Sequence, residues 1–364
     1  MINYQNLIEV YKKNLKDSDL YLKTRSTHWD EWYGENKKFL KLENLINFRN
    51  NRILSAGLDD SINLPSKLDL YELLEYFNPQ FLKRSLPNKN VGNCENIIKV
   101  LDYYFDYGIL HHLKWYEKIE KYISNNFNIL EIGGGFGSLA RIILKNKNVK
   151  YFLIDLPEAN IQSNFYLQEN FPDLKIFNYL DFKNKNLESE INNFDIFILP
   201  PNSIDALKEK NIFFDFIINS RSFMEMEKKT ISAYFSYIQN KITIGGYFLN
   251  INRYVKSVVG DDIYFKDYPY DSFWDVIISE KSFLQDHVHF FLTKRTKDKK
   301  EIIKNTLNNL PEVKIKKKNF MILKRTKKNL LITFYKIITK ILLLTFGKKK
   351  IRKISKIFQN ISNK

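Results

Sequence analysis

Residues 128–141, NILEIGGGFGSLAR, constrain the fold of this chain more than any other segment. An apolar run leads into Gly133, Gly135 and Gly137 and continues into a helix-like stretch, SLARIILKN. Glycines at every second position let the backbone turn sharply and leave no Cβ between its amides and a ligand lying on them. The amides that open the following helix carry partial positive charge, so such a turn suits a polar or anionic ligand.

The sequence around the turn has a matching texture. From about residue 127, short apolar runs alternate with helix-like stretches: FNILEIG, VKYFLIDLP, LKIFNYL, DIFILPP, FDFIINS, GGYFLNINR and HVHFFLTKR. Runs of this length, bounded by Gly, Pro, Asn or Asp, suit strands buried on both faces of a parallel sheet. The expected fold class is α/β, a Rossmann-like sheet with helices on both faces. Residues 1–124 read as a mostly helical N-terminal region on the substrate side. Residues 125–299 read as the α/β domain, and residues 300–364 as a basic amphipathic extension.

Two cofactor classes use a glycine turn of this kind. Dinucleotide sites carry G-x-G-x-x-G, which would put Ser138 at the third glycine position. The Rossmann-like methyltransferases carry an acid two positions ahead of the first glycine, and this chain has it in Glu131, Gly133, Gly135 and Gly137. The next strand, YFLID, ends in Asp155, whose carboxylate can accept both hydroxyls of a ribose. The competing reading makes Asp155 a helix cap. For the adenine contact two placements stand: Asp181 after LKIFNYL, or the region of Pro201 and Asn202 if DIFILPP is the third strand.

Several segments together resemble one family, the sugar O-methyltransferases of bacterial surface-polysaccharide pathways. They are EIGGGFGSLARI, YFLIDLPEANIQSNFYL, DFIINSRSFMEMEKKTISAYFSYI and GGYFLNINRY, with fainter echoes in VGNCENI and FWDVIISE. The resemblance spans roughly residues 90–295. It implies S-adenosyl-L-methionine (SAM) as cofactor, with Glu131 helping to hold its methionine end, and methyl transfer to a sugar hydroxyl. The acceptor is then a sugar or glycan, lipid-linked or nucleotide-linked.

Methyl transfer needs a hydroxyl aligned with the methyl group and a group to take its proton. Glu225, in SRSFMEM after FDFIIN, falls at the C-terminal edge of the sheet, as do Asn219 and Ser222. Asn252 and Arg253 close GGYFLNINR and could hold sugar hydroxyls or an attached phosphate. Glu225 and His287 are the candidate catalytic groups, and Asn219, Ser222, Asn252 and Arg253 the candidate substrate contacts. His287 and His289 alternate in DHVHFFL, with His289 placed mid-strand. His111 and His112 read as structural. Trp29 and Trp32, near His28, fit a sugar-facing lid less well than a packed N-terminal core. No His/Asp/Glu spacing calls for a metal.

Charge is divided unevenly along the chain. The net charge is +17, yet residues 313–364 hold 17 of the 58 Lys and Arg and no acid, leaving 41 basic and 41 acidic residues before them. The stretch NLLITFYKIITKILLLTF has polar residues three to four apart, followed by KKKIRKISKIF. This pattern fits an amphipathic helix lying on an anionic membrane surface better than a spanning helix. A protein partner is the second reading. So much Leu and Ile disfavours nucleic acid. The charged N-terminal stretch lacks the apolar core of a secretory signal. With one cysteine, Cys94, a disulfide framework is excluded, and a cytoplasmic enzyme at the inner membrane face is expected. The rival functions are methylation of RNA or a small metabolite, a non-catalytic scaffold in glycan assembly, and a nicotinamide enzyme.

Overall fold

The computed structural model describes residues 4–21, 41–50, 66–257 and 262–311. His28, Trp29, Trp32 and the 313–364 extension lie outside them. The centre is an eight-stranded sheet. Its strands are β3 (Asn128–Ile132), β4 (Lys150–Ile154), β5 (Ile176–Phe177), β6 (Ile196–Leu199), β7 (Phe214–Ser220), β8 (Ile242–Arg253), β11 (Trp274–Ser282) and β12 (Gln285–Arg295). In space they run β11-β12-β8-β7-β3-β4-β6-β5. The six strands from β8 to β5 are parallel, while β12 and β11 are antiparallel to their neighbours. The order departs in opposite directions from β3, towards β4 on one side and β7 on the other. That reversal opens a crevice beyond the C-terminal end of β3, where folds of this kind take their ligands.

The period-2 pleat sends alternate residues to two separate cores. Ile129, Tyr151, Leu153 and Ile218 face one core, with residues of α1 (Tyr4–Tyr21), α5 (Tyr107–Ile119), α6 (Ser138–Asn146) and α7 (Pro157–Asn170). Leu130, Ile132, Phe152 and Ile217 face the other, with α10 (Ser203–Lys208), α11 (Lys228–Lys241) and α12 (Ile302–Asn308). The strands are apolar on both sides because both faces are covered.

The N-terminal region packs into the body: Leu7, Phe48, Leu110 and Trp115 share one core with Ile129 and Leu249. It also contains a hairpin, β1 (Ile97–Val100) with β2 (Tyr103–Asp106). Trp115 ties α5 to the far end of the sheet by donating from Nε1 to the Ser282 Oγ at 3.0 Å. The body also runs past residue 299. Ile303 and Leu307 of α12 are buried in it, and the compact unit spans Met1–Val313.

The run LKIFNYL departs from expectation. Only Ile176–Phe177 forms a strand, and the chain turns at once into α8 (Tyr179–Asn184). Asn178 Oδ1 accepts from the Leu180 and Asp181 amides, and the Asp181 carboxylate accepts from the Asn178 N–H. This reciprocal capping box starts a helix where an apolar run suggested a strand. DIFILPP, as β6, is the strand that pairs with β4.

Candidate active site

Gly133, Gly135 and Gly137 have φ of +74°, +57° and +83°. The first is held by its N–H donating to the Ile154 carbonyl at 2.8 Å. A Cβ on Gly133 would run into the Ser222 hydroxyl, so neither conformation nor space admits a side chain there. Gly137 is the N-cap of α6 and offers no side-chain cap, leaving the first amides of that helix to the crevice.

Asp155 follows β4 directly. Its Oδ2 accepts from the Gly135 N–H and its Oδ1 from the Leu156 N–H, both at 2.7 Å. Burial pushes its carboxyl up to about 7 against those two hydrogen bonds, with Glu158 and Glu225 adding to the rise. Glu131 takes a different position. It is 1% exposed, lies beneath the turn against Gly134, and accepts from the Tyr151 hydroxyl at 2.7 Å. Burial pushes it up to about 7 as well, although the Tyr151 hydrogen bond favours the charged form. Glu131 therefore acts on the turn from below, whereas Asp155 sits at its open side.

The adenine-side expectation of Asp181 does not fit. Its Oδ2 is used in the α8 cap and its Oδ1 pairs with Lys185 at 2.8 Å. Its strand lies one place further out than β6. Asn202, just after β6, is nearer to Asp155, whose N–H bonds the Leu199 carbonyl at 3.3 Å. The Asn202 Oδ1 is buried and has no hydrogen-bond partner among the described residues. The second placement, at Pro201 and Asn202, is the one that the strand order favours.

Beyond the turn, β7 and β8 end in a network of amides. Asn219 Nδ2 donates to the Ile132 carbonyl at 2.9 Å and to Ser222 Oγ at 2.5 Å. Its Oδ1 accepts from the Phe223 N–H at 3.2 Å and from Asn252 Nδ2 at 2.9 Å. Two donors and two acceptor sites are all that an amide has, so Asn219 has nothing left for a substrate. Asn252 is similarly committed, donating also to Asn250 Oδ1 at 2.6 Å and accepting from the Met224 N–H at 3.3 Å. Ser222 donates to the Ile132 carbonyl at 3.1 Å. The proposed sugar contacts Asn219, Ser222 and Asn252 are thus corrected to a frame that holds the loop after β7 against the glycine turn.

That loop carries charge. Arg221, at φ +62°, donates its N–H to the Ile251 carbonyl at 2.7 Å. Glu225 Oε1 accepts from Lys256 Nζ at 2.5 Å, both side chains being about 15% exposed (14% and 15%). Burial lowers the Lys256 ammonium; Glu225 opposes this, and Arg253 and Arg221 reinforce it. Arg253 ends β8, with its Nε enclosed and without a partner among the described residues. Lys256 and Arg221 are functional candidates that the sequence reading passed over. Charge interleaved with apolar residues in β9 (Val255–Ser257) gave no periodic signal there.

The histidines divide clearly. His287 is half-buried near the start of β12, and its carbonyl accepts from the Tyr254 N–H at 3.1 Å, at the same sheet edge as Arg253. His289 is enclosed between the Tyr254 hydroxyl and Ser279 Oγ, each at 3.1 Å, and burial lowers it to about 4. His112, on α5, is lowered to about 3 by burial, with His111, Arg141 and Arg221 as further causes. Neither His289 nor His112 suits proton uptake at neutral pH. Among the described residues no group of His, Cys, Asp and Glu is arranged to hold a metal.

No family model matches the chain, and no curated protein matches it in sequence. Solved structures show partial likenesses to it. A TehB-like SAM-dependent methyltransferase from Corynebacterium glutamicum is 12% identical, covering 50% of this chain and 87% of its own, at a TM-score of 0.35. A methyltransferase from Pyrococcus furiosus is 12% identical over 51% and 83% at 0.33, and TehB from Haemophilus influenzae 14% over 50% and 62% at 0.34. The chain spans about half the length of other matched structures, 47% and 48% in two of them. At such scores the likenesses say nothing about substrate.

Asn219→Leu is expected to destabilise the protein by about 2–4 kcal/mol, because it leaves the Phe223 N–H, the Asn252 amide and the Ile132 carbonyl short of partners. Urea unfolding measures this. A loss under about 0.5 kcal/mol would return Asn219 to the candidate substrate contacts.

Proposed function

We propose that the chain is a SAM-dependent methyltransferase that transfers a methyl group to a sugar hydroxyl. The observation that carries the cofactor reading is the bare positive-φ turn at β3 with the Asp155 carboxylate on its open side. The buried Oδ1 of Asn202, without a partner among the described residues, suits the exocyclic amine of an adenine on the same flank. Glu131 and Asp155 add acid below and beside a cofactor that bears positive charge. The sugar rests on the resemblance of the INSRSFMEM and LIDLPE segments to sugar O-methyltransferases. When bound, SAM supplies a methyl group on a sulfonium, open to in-line attack by oxygen.

The chain's own part is to orient and to take a proton. Asp155 would accept the ribose hydroxyls, and the frame of Asn219 and Asn252 would fix the loop that carries Glu225. Glu225, paired with Lys256, would take the hydroxyl proton, with His287 as the alternative. The 313–364 extension, outside the described residues, would bring the enzyme to the inner face of the cytoplasmic membrane, beside lipid-linked glycans. Among the described residues no helix is long and apolar enough to cross a membrane.

Calorimetric titration with SAM and S-adenosylhomocysteine should give saturable binding, weakened about 10- to 100-fold by Asp155→Ala, since two charge-assisted hydrogen bonds go. The pH dependence has a definite sign. A carboxyl raised to about 7 in the fold must ionise to accept both hydroxyls, so cofactor affinity rises through pH 7 and then levels off. The stability of the free protein moves oppositely. The raised Asp155 and Glu131 favour the fold at acid pH, and that contribution is lost as pH climbs from the ordinary carboxylate range to about 7. No binding by the folded protein sinks the cofactor reading.

With a methylated acceptor identified, Glu225→Gln should lower kcat about 10²- to 10⁴-fold with S-adenosylhomocysteine affinity unchanged; an unaltered kcat gives the role to His287. The full chain should sediment with phosphatidylserine vesicles and stay in solution with phosphatidylcholine vesicles. Equal sedimentation with both would remove the electrostatic basis for membrane docking.

A further inference from the structure

Strands β4 and β6 part company beside the glycine turn. They pair from Tyr151 with Ile196 to Ile154 with Leu199. Beyond that pair the two chains leave for opposite faces of the sheet, into α7 and α10. Pro200 and Pro201 follow Leu199, and neither has an N–H with which to extend the ladder. The Asp155 N–H reaches the Leu199 carbonyl only at 3.3 Å. Asn160 supplies what the prolines omit. Its Nδ2 donates to the Asp155 carbonyl and to the Leu199 carbonyl, both at 2.9 Å. The local sequence puts it there. Pro157 opens α7 directly after Leu156, and a side chain one turn into a helix tilts back towards the N-terminal end, here onto the strand ends. Asn160 is buried, and its Oδ1 has no partner among the described residues. An acceptor left unpaired is costly, so what this side chain contributes is its two donors.

Resting on the methyltransferase reading, we infer that Asn160 is a positioning residue of the cofactor site. Its amide latches the ends of β4 and β6 together and so sets the width of the slot between Asp155 and Asn202 that receives the nucleoside. Asp155 is held from two sides, its carbonyl by Asn160 and its carboxylate by the Gly135 N–H, which fixes its place against the glycine turn. Asn202 follows Leu199 across two prolines, whose fixed φ passes on the position of Leu199 with little play. A cavity of about 10 Å³ lies beside Asn160, lined also by Tyr11 and Asn14 of α1 and by Asn164. It is the size of one water molecule and too small for an organic ligand, so Asn160 acts on the nucleoside through the strand ends. An aspartate of the same shape could not do this, because two carbonyls need donors and a carboxylate has none.

The test compares Asn160→Ala with Asn164→Ala in the full chain. Asn164 lies one turn further along α7, is as buried as Asn160 (6% exposed in each case) and borders the same cavity, but bonds neither strand end. Titration with S-adenosylhomocysteine and with adenosine is expected to show both ligands weakened about tenfold by Asn160→Ala, equally because the loss lies in the nucleoside half. Asn164→Ala should weaken neither. Should Asn160→Ala not fold, Asn160→Ser, which keeps one hydroxyl donor, is expected to weaken both ligands about threefold. Without ligand, hydrogen exchange at the Asp155 amide should speed up about tenfold in Asn160→Ala and stay unchanged in Asn164→Ala. Unchanged affinity for both ligands in a folded Asn160→Ala protein would overturn the inference. So would a loss for S-adenosylhomocysteine that adenosine does not share, or an equal loss in both variants, which would make the effect one of helix packing. A parent protein that binds neither ligand counts against the cofactor reading. The exchange measurement then decides alone whether Asn160 latches the two ends, and unaltered exchange at Asp155 would refute the latch.

Discussion

The side-chain amide of Asn219 is the joint on which the crevice depends. It closes four hydrogen bonds in a fully buried position, joining the end of β3, the loop after β7 and the end of β8. Its bond to the Ile132 carbonyl is made at the residue before the glycine turn, so the turn and the charged loop cannot move independently. A buried polar network is tolerated only when it is complete, and a complete one specifies a single arrangement. Here the arrangement includes Ser222 under Gly133, which is why that position must remain a glycine. The loop bearing Arg221 and Glu225 is thereby set opposite Asp155, whose carboxyl senses Glu225.

Much of this was legible in the sequence, and the reasons are physical. An apolar strand, three glycines and a helix leave few folds open, so the α/β class followed from the spacing of residues 128–141. The acid after β4 stood out because it follows four apolar residues at the end of a buried strand, although a helix cap would give the same pattern. The amide frame was not. Asn219 and Asn252 look like any polar residues at strand ends, and only the register, which pairs Asn219 with Asn250 and leaves Asn252 two residues further along the same strand face, lets the two amides bond. Asp181 failed for a related reason: an acid after an apolar run reads the same whether it meets a ligand or caps a helix. The Asn178–Asp181 spacing, with a capping side chain three residues before an acid, carried the signal for the second reading. Strand β11 went unassigned because its burial is only partial along most of its length, so its apolar periodicity is weak.

The electrostatics of the crevice then have a consistent layout. Two carboxyls, Glu131 below and Asp155 beside the turn, are held near the middle of their titration by burial. The loop after β7 and the end of β8 carry Arg221 and Arg253, which act on Lys256. On the proposed reading, a cofactor that bears a sulfonium is drawn to the acid side. The frame that Asn219 holds in place then keeps the loop carrying Glu225 within electrostatic reach of Asp155, so that proton acceptor and cofactor site are set by one network of buried amides.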